Sequence, residues 1–121
     1  MLKKIFCTAF LCATILLISN MQVSAKDVWV YTEYKGTEFY VMNETIMNKS
    51  TGHRRAFDVN VKNVWRDKSS NVVKWSFSEN DGVVLYSINN GNFEPLSTDG
   101  GIGIQVGRRV WNYCLNYLGL N

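Results

Sequence analysis

The hydrophobic pattern of this chain changes period once, and that change limits the fold more than any other feature. In Phe57-Asp58-Val59-Asn60-Val61-Lys62-Asn63-Val64-Trp65, the side chains of Phe57, Val59, Val61 and Trp65 fall on one side of an extended backbone. Asp58, Asn60 and Lys62 fall on the other. Val73, Trp75 and Phe77 then alternate with Lys74, Ser76 and Ser78. A period of two means strands with one buried and one wet face. After Pro95 the period lengthens. Val106, Val110, Tyr113, Cys114, Tyr117 and Leu118 fall on one helical stripe, with Arg108, Arg109, Asn112 and Asn116 opposite. Strands followed by a single helix predict an α+β domain: an antiparallel β-meander of about five strands with one C-terminal helix packed on one face.

The turns support the meander. Val28 to Tyr34 and Glu38 to Met42 are strand-like runs around Lys35-Gly36-Thr37, a hairpin. Thr45-Ile46-Met47 is either a short turn of helix or a strand end, and residues 48–53 read as a loop. Asp67 to Asn71 is a turn. Asp81-Gly82 suits the positive φ angles of a type I′ hairpin. Asn89-Asn90-Gly91 turns the chain again, and Asn92-Phe93-Glu94 offers a short last strand that Pro95 keeps from being central. Ser97-Thr98-Asp99 supplies capping side chains and Gly119 a C-cap for the helix. Gly107 within the helix implies close packing on the sheet or a later helix start. The glycines at 101, 103 and 107 lack the spacing and the βαβ context of a dinucleotide fingerprint, and read as a flexible approach to the helix.

The first residues carry a second signal. Met1-Leu2-Lys3-Lys4 is basic, Ile5 to Ile18 is uncharged, and Val23-Ser24-Ala25 places small residues before Lys26. This is the pattern of a secretory signal peptide over residues 1–25, leaving a single small domain over residues 26–121. The apolar run is fourteen residues, short of the roughly 20 that a membrane span requires. Lys26 stands where a lipid anchor needs a Cys. The expected product is exported, to the periplasm, the cell surface or the medium, with no membrane span after cleavage. The net charge of +3, less Lys3 and Lys4, leaves +1 for the remainder. Only His53-Arg54-Arg55 and Arg108-Arg109 are adjacent basic residues, so no basic stripe exists for nucleic acid. Cys7 and Cys12 leave with the leader. Cys114 is then a lone cysteine, either a buried apolar residue or half of an intermolecular disulfide.

Catalytic and metal chemistry find little material. His53 is the sole histidine, and no paired-ligand spacing points to a metal site. Cys114 and His53 are formally a nucleophile and a base, one in an apolar helical stripe and the other in a polar loop. Glu33, Glu38, Asp58, Glu79 and Asp81 offer carboxylates, mostly at strand ends or on wet faces where a solvated charge is the default. No cofactor is implied, and no enzyme is expected. Aromatic residues are the more suggestive group. Trp65 and Trp75 fit buried alternating faces. Trp29 and Tyr31 share a parity that Tyr40 joins from the neighbouring strand. An aromatic patch of Trp29, Tyr31 and Tyr40 facing away from the helix would be a binding surface. Asn43-Glu44-Thr45 and Asn48-Lys49-Ser50 match the N-glycosylation pattern, which bears on a eukaryotic chain only.

The order of these features resembles the secreted bacterial domain called surface-adhesin protein E-like. Trp29 precedes a hairpin. Phe39-Tyr40-Val41-Met42-Asn43 runs into Glu44-Thr45-Ile46, and the alternation from Phe57 to Trp65 follows. Phe93-Glu94-Pro95-Leu96-Ser97 precedes a terminal helix holding Cys114. The resemblance covers nearly all of residues 26–121. It implies a non-enzymatic surface or periplasmic binding protein, with adhesion to host proteins in some members. Relatives often pair the helix cysteine with one in a central strand, whereas Val72 to Glu79 contains none here. The expected function is therefore a small exported, adhesin-like binding module with a protein or glycan partner. The alternatives are a structural homodimer of the cell envelope and, third, a small secreted enzyme or enzyme inhibitor.

Overall fold

The computed structural model describes residues 26–97 and 100–121; the expected signal peptide lies outside the described residues. Among these residues six strands form one antiparallel sheet in sequence order: β1 (Asp27–Thr32), β2 (Glu38–Asn48), β3 (Ala56–Val64), β4 (Ser70–Asn80), β5 (Val83–Ile88) and β6 (Glu94–Pro95). Among the described residues one helix, α1 (Ile102–Leu118), packs on one face. The α+β meander with a C-terminal helix is the fold the sequence predicts. The sixth strand is the two-residue pairing of Glu94 with Tyr86 and Pro95 with Leu85. Pro95 sits on an edge strand, where its missing N–H costs no internal ladder bond. No helix among the described residues is long and apolar enough to cross a membrane.

Local chemistry sets the turns. Asp81 and Gly82 both have positive φ, 50° and 79°, and join β4 to β5 in two residues. Asn89 and Asn90 also have positive φ, 50° and 62°, and turn the chain after β5, closed by a Gly91 N–H donating to the Ile88 carbonyl at 2.9 Å. Asparagine tolerates the left-handed region better than most side chains. Thr45-Ile46-Met47 belongs to β2. There the ladder slips: Met42 faces Asn60 and Met47 faces Asp58. The Thr45 hydroxyl fills the gap, donating to the Met42 carbonyl at 2.7 Å and accepting from the Asn60 N–H at 2.8 Å. Asn43, the first residue of one glycosylation-type triplet, is 4% exposed, and its side-chain oxygen accepts from the Lys26 N–H.

The core lies between α1 and the middle of β1 to β5. Phe57 stacks on Trp111 with ring centres 5.1 Å apart, and Phe77 lies 5.1 Å from Phe57. Trp75 joins through Phe77 and Tyr86. Val41, Val59, Val61, Val106, Val110 and Cys114 fill the rest. Two expectations are corrected here. The buried helical stripe is Val106, Gly107, Val110, Trp111, Cys114 and Leu115, so the helix is rotated toward Trp111. Tyr117 is half exposed, and Tyr113 and Leu118 lie at the margin. Gly107 accounts for the rotation: a Cβ there would sit 2.9 Å from the Trp75 ring and 2.8 Å from Leu96, so only glycine lets the backbone come this close. Trp65 is 40% exposed rather than buried. The β3–β4 ladder ends at Val64 and Ser70, and core coverage on β3 stops at Val61.

The helix starts at Ile102 with Gly101 as N-cap and no side-chain cap, so the glycine run is largely helical rather than a flexible approach. Thr98 and Asp99 lie outside the described residues. Gly119, at φ 67°, ends the helix in the left-handed conformation. Arg55 then clamps that end to the sheet. Its guanidinium donates to both Glu79 carboxylate oxygens and to the Leu120 carbonyl, and lies 5.4 Å from the Trp111 ring centre.

Candidate functional site on the open face of the sheet

Alternation along the strands sends one set of side chains under α1 and leaves the other on a face that carries no helix among the described residues. Trp29, Tyr40 and Lys62 are successive cross-strand partners on β1, β2 and β3. Lys62 alternates with buried Val61, so all three lie on the open face. Trp29 is 52% exposed, with its indole N–H donating to the Thr32 hydroxyl at 2.7 Å. The Tyr40 hydroxyl donates to Glu38 at 2.7 Å, which holds its pKa above the ordinary phenol value. Lys62 reaches Asp27 at 3.4 Å.

Tyr31 is not with them. Trp29 faces Tyr40, but Tyr31 faces Phe39, so Val30 is an extra residue in β1. Such a bulge reverses which side of the sheet the following residues meet. Tyr31 therefore packs against the core beside Phe39, with the Arg109 guanidinium 5.8 Å from its ring. Of the expected aromatic trio, the fold joins Trp29 and Tyr40 and places Tyr31 on the helix side. Equal parity is a guide only in a strand without a bulge, and no residue in Val28-Trp29-Val30-Tyr31 announces one.

Farther along the same face, β3, β4 and β5 form the floor of a groove of about 520 Å3. Its walls are the β2–β3 connection, carrying Arg54, and the turn after β5, carrying Asn90 and Phe93. Asp58 is at the centre. It accepts from Lys49 at 2.6 Å and lies 3.5 Å from Lys74. Burial pushes its pKa up, but hydrogen bonds from Lys49 and Ser76 and the two lysine charges outweigh that and hold it below the ordinary carboxylate value. Lys74 also donates to the Asn90 side chain at 3.1 Å, and Arg54 to Asn80 at 3.5 Å. Phe93 is half exposed at the rim. In the sequence, Asp58 stands out only as a wet-face residue and one of five scattered carboxylates, and Lys74 only as a wet-face residue. The groove needs register and two loops, neither of which has a sequence motif.

The other candidates are dispersed. Cys114 is fully buried and desolvation pushes its thiol up to about 12, while His53 is exposed on the β2–β3 connection. A thiol so placed is neither exposed nor ionised at neutral pH. Of the five carboxylates considered, Asp58 lines the groove; Glu79 is bound by Arg55 on the other side, Glu38 by Tyr40, and Glu33 and Asp81 lie in turns. Among the described residues no three His, Cys, Asp or Glu side chains gather as metal ligands would. Compared with known proteins, the chain matches no family model, no curated protein and no solved structure.

Proposed function

We propose that this chain is a small exported, non-catalytic binding module that recognises a protein or glycan through the open face of its sheet. The observation that carries the reading is the Trp29–Tyr40 pair, held in place by Thr32 and Glu38 and presented on a face that α1 leaves uncovered. Rigid aromatic side chains with a polar tip are favoured anchors of recognition surfaces. Export rests on the pattern of residues 1–25, and an adhesin-like role is what the resemblance to surface-adhesin protein E-like domains implies. The test is a panel of immobilised matrix proteins and glycans, probed with the wild type and Trp29→Ala. The reading expects a partner held by the wild type and lost by the variant at an unchanged unfolding midpoint. A panel in which every retained partner is indifferent to Trp29 contradicts it.

One observation favours a second reading, an envelope homodimer. β1 is an edge strand, so its outer backbone groups face no neighbour in the sheet, and Trp29 stands on that strand. Because Cys114 is buried, such a dimer would be insensitive to reductant. Light scattering with and without reductant separates the readings: a reductant-insensitive dimer takes Trp29 out of the ligand search, and a monomer leaves it available.

A further inference from the structure

We infer that the groove over β3, β4 and β5 is a binding site for an acidic saccharide, a sugar carrying a carboxylate or sulfate. This deepens the reading of the open face as a binding surface and rests on it, but not on Trp29, which is not among the groove's lining residues.

Charge selects the ligand's sign. Lys49, Arg54 and Lys74 line the groove against the single carboxylate of Asp58, a formal charge of three minus one, or +2. Asp58 contacts both Lys49 and Lys74 from the floor and competes with a bound anion for their ammonium groups. Each ammonium has three donors and the guanidinium five. The bonds to Asp58, Asn90 and Asn80 use only part of that set, which leaves donors for an anion.

Topology selects the ligand's class. β3 and β4 are paired along both edges, so their backbone is consumed in the ladders and a peptide cannot be captured there as an added strand. Recognition must go through side chains. Those present include cationic donors, serine hydroxyls and asparagine amides, with Leu85 and the half-exposed Phe93 ring as apolar surface beside them. Donors fixed around hydroxyl groups, and a ring for the C–H face of a pyranose, are the complement of a sugar. The groove's volume falls within the range of about 300–1,000 Å3 usual for small-ligand sites.

The test is calorimetric titration of the protein with trigalacturonate, a sulfated trisaccharide, a neutral trisaccharide and triaspartate. At least one acidic sugar is expected to bind about tenfold more tightly than the neutral one, and to weaken as salt rises. The two acidic arms distinguish carboxylate from sulfate. Lys74→Gln is expected to weaken binding about fivefold, whereas Asp58→Asn, which removes the competing carboxylate, tightens it about twofold to fivefold. Arg54→Gln, on an exposed loop, repeats the first test without touching a strand. Equal binding of the neutral sugar, equal binding of triaspartate, indifference to both Lys74→Gln and Arg54→Gln, or a weaker Asp58→Asn each overturns the inference. Tyr34→Ala, on the exposed β1–β2 connection and outside the groove, should leave these titrations unchanged. Loss of the Lys74- and Arg54-dependent signal while a Trp29-dependent partner is still held counts against the groove alone, and a groove signal with no Trp29-dependent partner in the panel counts against the aromatic pair alone.

Discussion

The two faces of this sheet are built from alternate residues of the same strands, yet they serve opposite ends. Under α1, Phe57, Val59, Val61, Trp75 and Phe77 meet Val110, Trp111 and Cys114 in a core whose members are at most 7% exposed. On the open face the intervening positions Asp58, Asn60, Lys62, Lys74 and Ser76 are polar, and the large apolar groups there, Trp29, Met47 and Phe93, stay about half exposed. Stability is concentrated on one side, so the other is free to vary in charge and shape without unfolding the domain. Substitutions on the two faces should thus separate stability from binding.

The largest effect expected is at Trp111. Trp111→Ala leaves a cavity against Phe57 and Phe77 and should lower unfolding free energy by about 3–5 kcal/mol, measured by urea denaturation. Gly107→Ala is a sharper test of how closely the helix approaches. Helix propensity favours alanine by about 1 kcal/mol, whereas the contacts with Trp75 and Leu96 cost about 1–3 kcal/mol of overpacking. The rigid Trp75 ring makes the second term win, so the variant is expected to be less stable; a more stable one would place the helix farther from the sheet. Next comes Arg55→Ala. Its bonds to Glu79 and Leu120 are charge-assisted but its side chain is 36% exposed, so a loss of about 1–2 kcal/mol is expected after solvent screening.

The smallest stability effect belongs to the open face. The folded pKa of Asp58 is held below its unfolded value, so its contribution is present above about pH 4 and is lost as pH falls through the folded value. Asp58→Asn should flatten that part of the acid unfolding curve and cost about 1 kcal/mol at neutral pH, because Lys49 and Lys74 are substantially exposed.

Much of the helix-side face was legible in the sequence, because burial writes itself as periodicity. Phe57, Val59, Val61, Trp75 and Phe77 could be placed by alternation, and Asp81-Gly82 and Gly119 by the φ angles they permit. The rotation of α1 was not legible. It depends on Gly107 meeting Trp75, a contact between residues 32 positions apart. The open face was harder still. Trp29 and Tyr40 were legible as a pair, but the bulge at Val30 that sends Tyr31 to the helix side leaves no mark in the residue pattern. The groove escaped notice because it joins Lys49, Asp58, Lys74 and Phe93 from separate elements, and the polar residues of a wet strand face look alike until register sets them beside each other.

The claim on which everything else depends is that the two faces differ in solution as they do here, one closed and one open. Hydroxyl-radical footprinting read by mass spectrometry at single residues tests it most directly, over a range of protein concentration. Trp29, Met47 and Phe93 should label rapidly at every concentration, and Trp75 and Trp111 slowly. Protection of Trp29 and Met47 that disappears on dilution would contradict the account, because the open face would then be covered by a second copy of the chain.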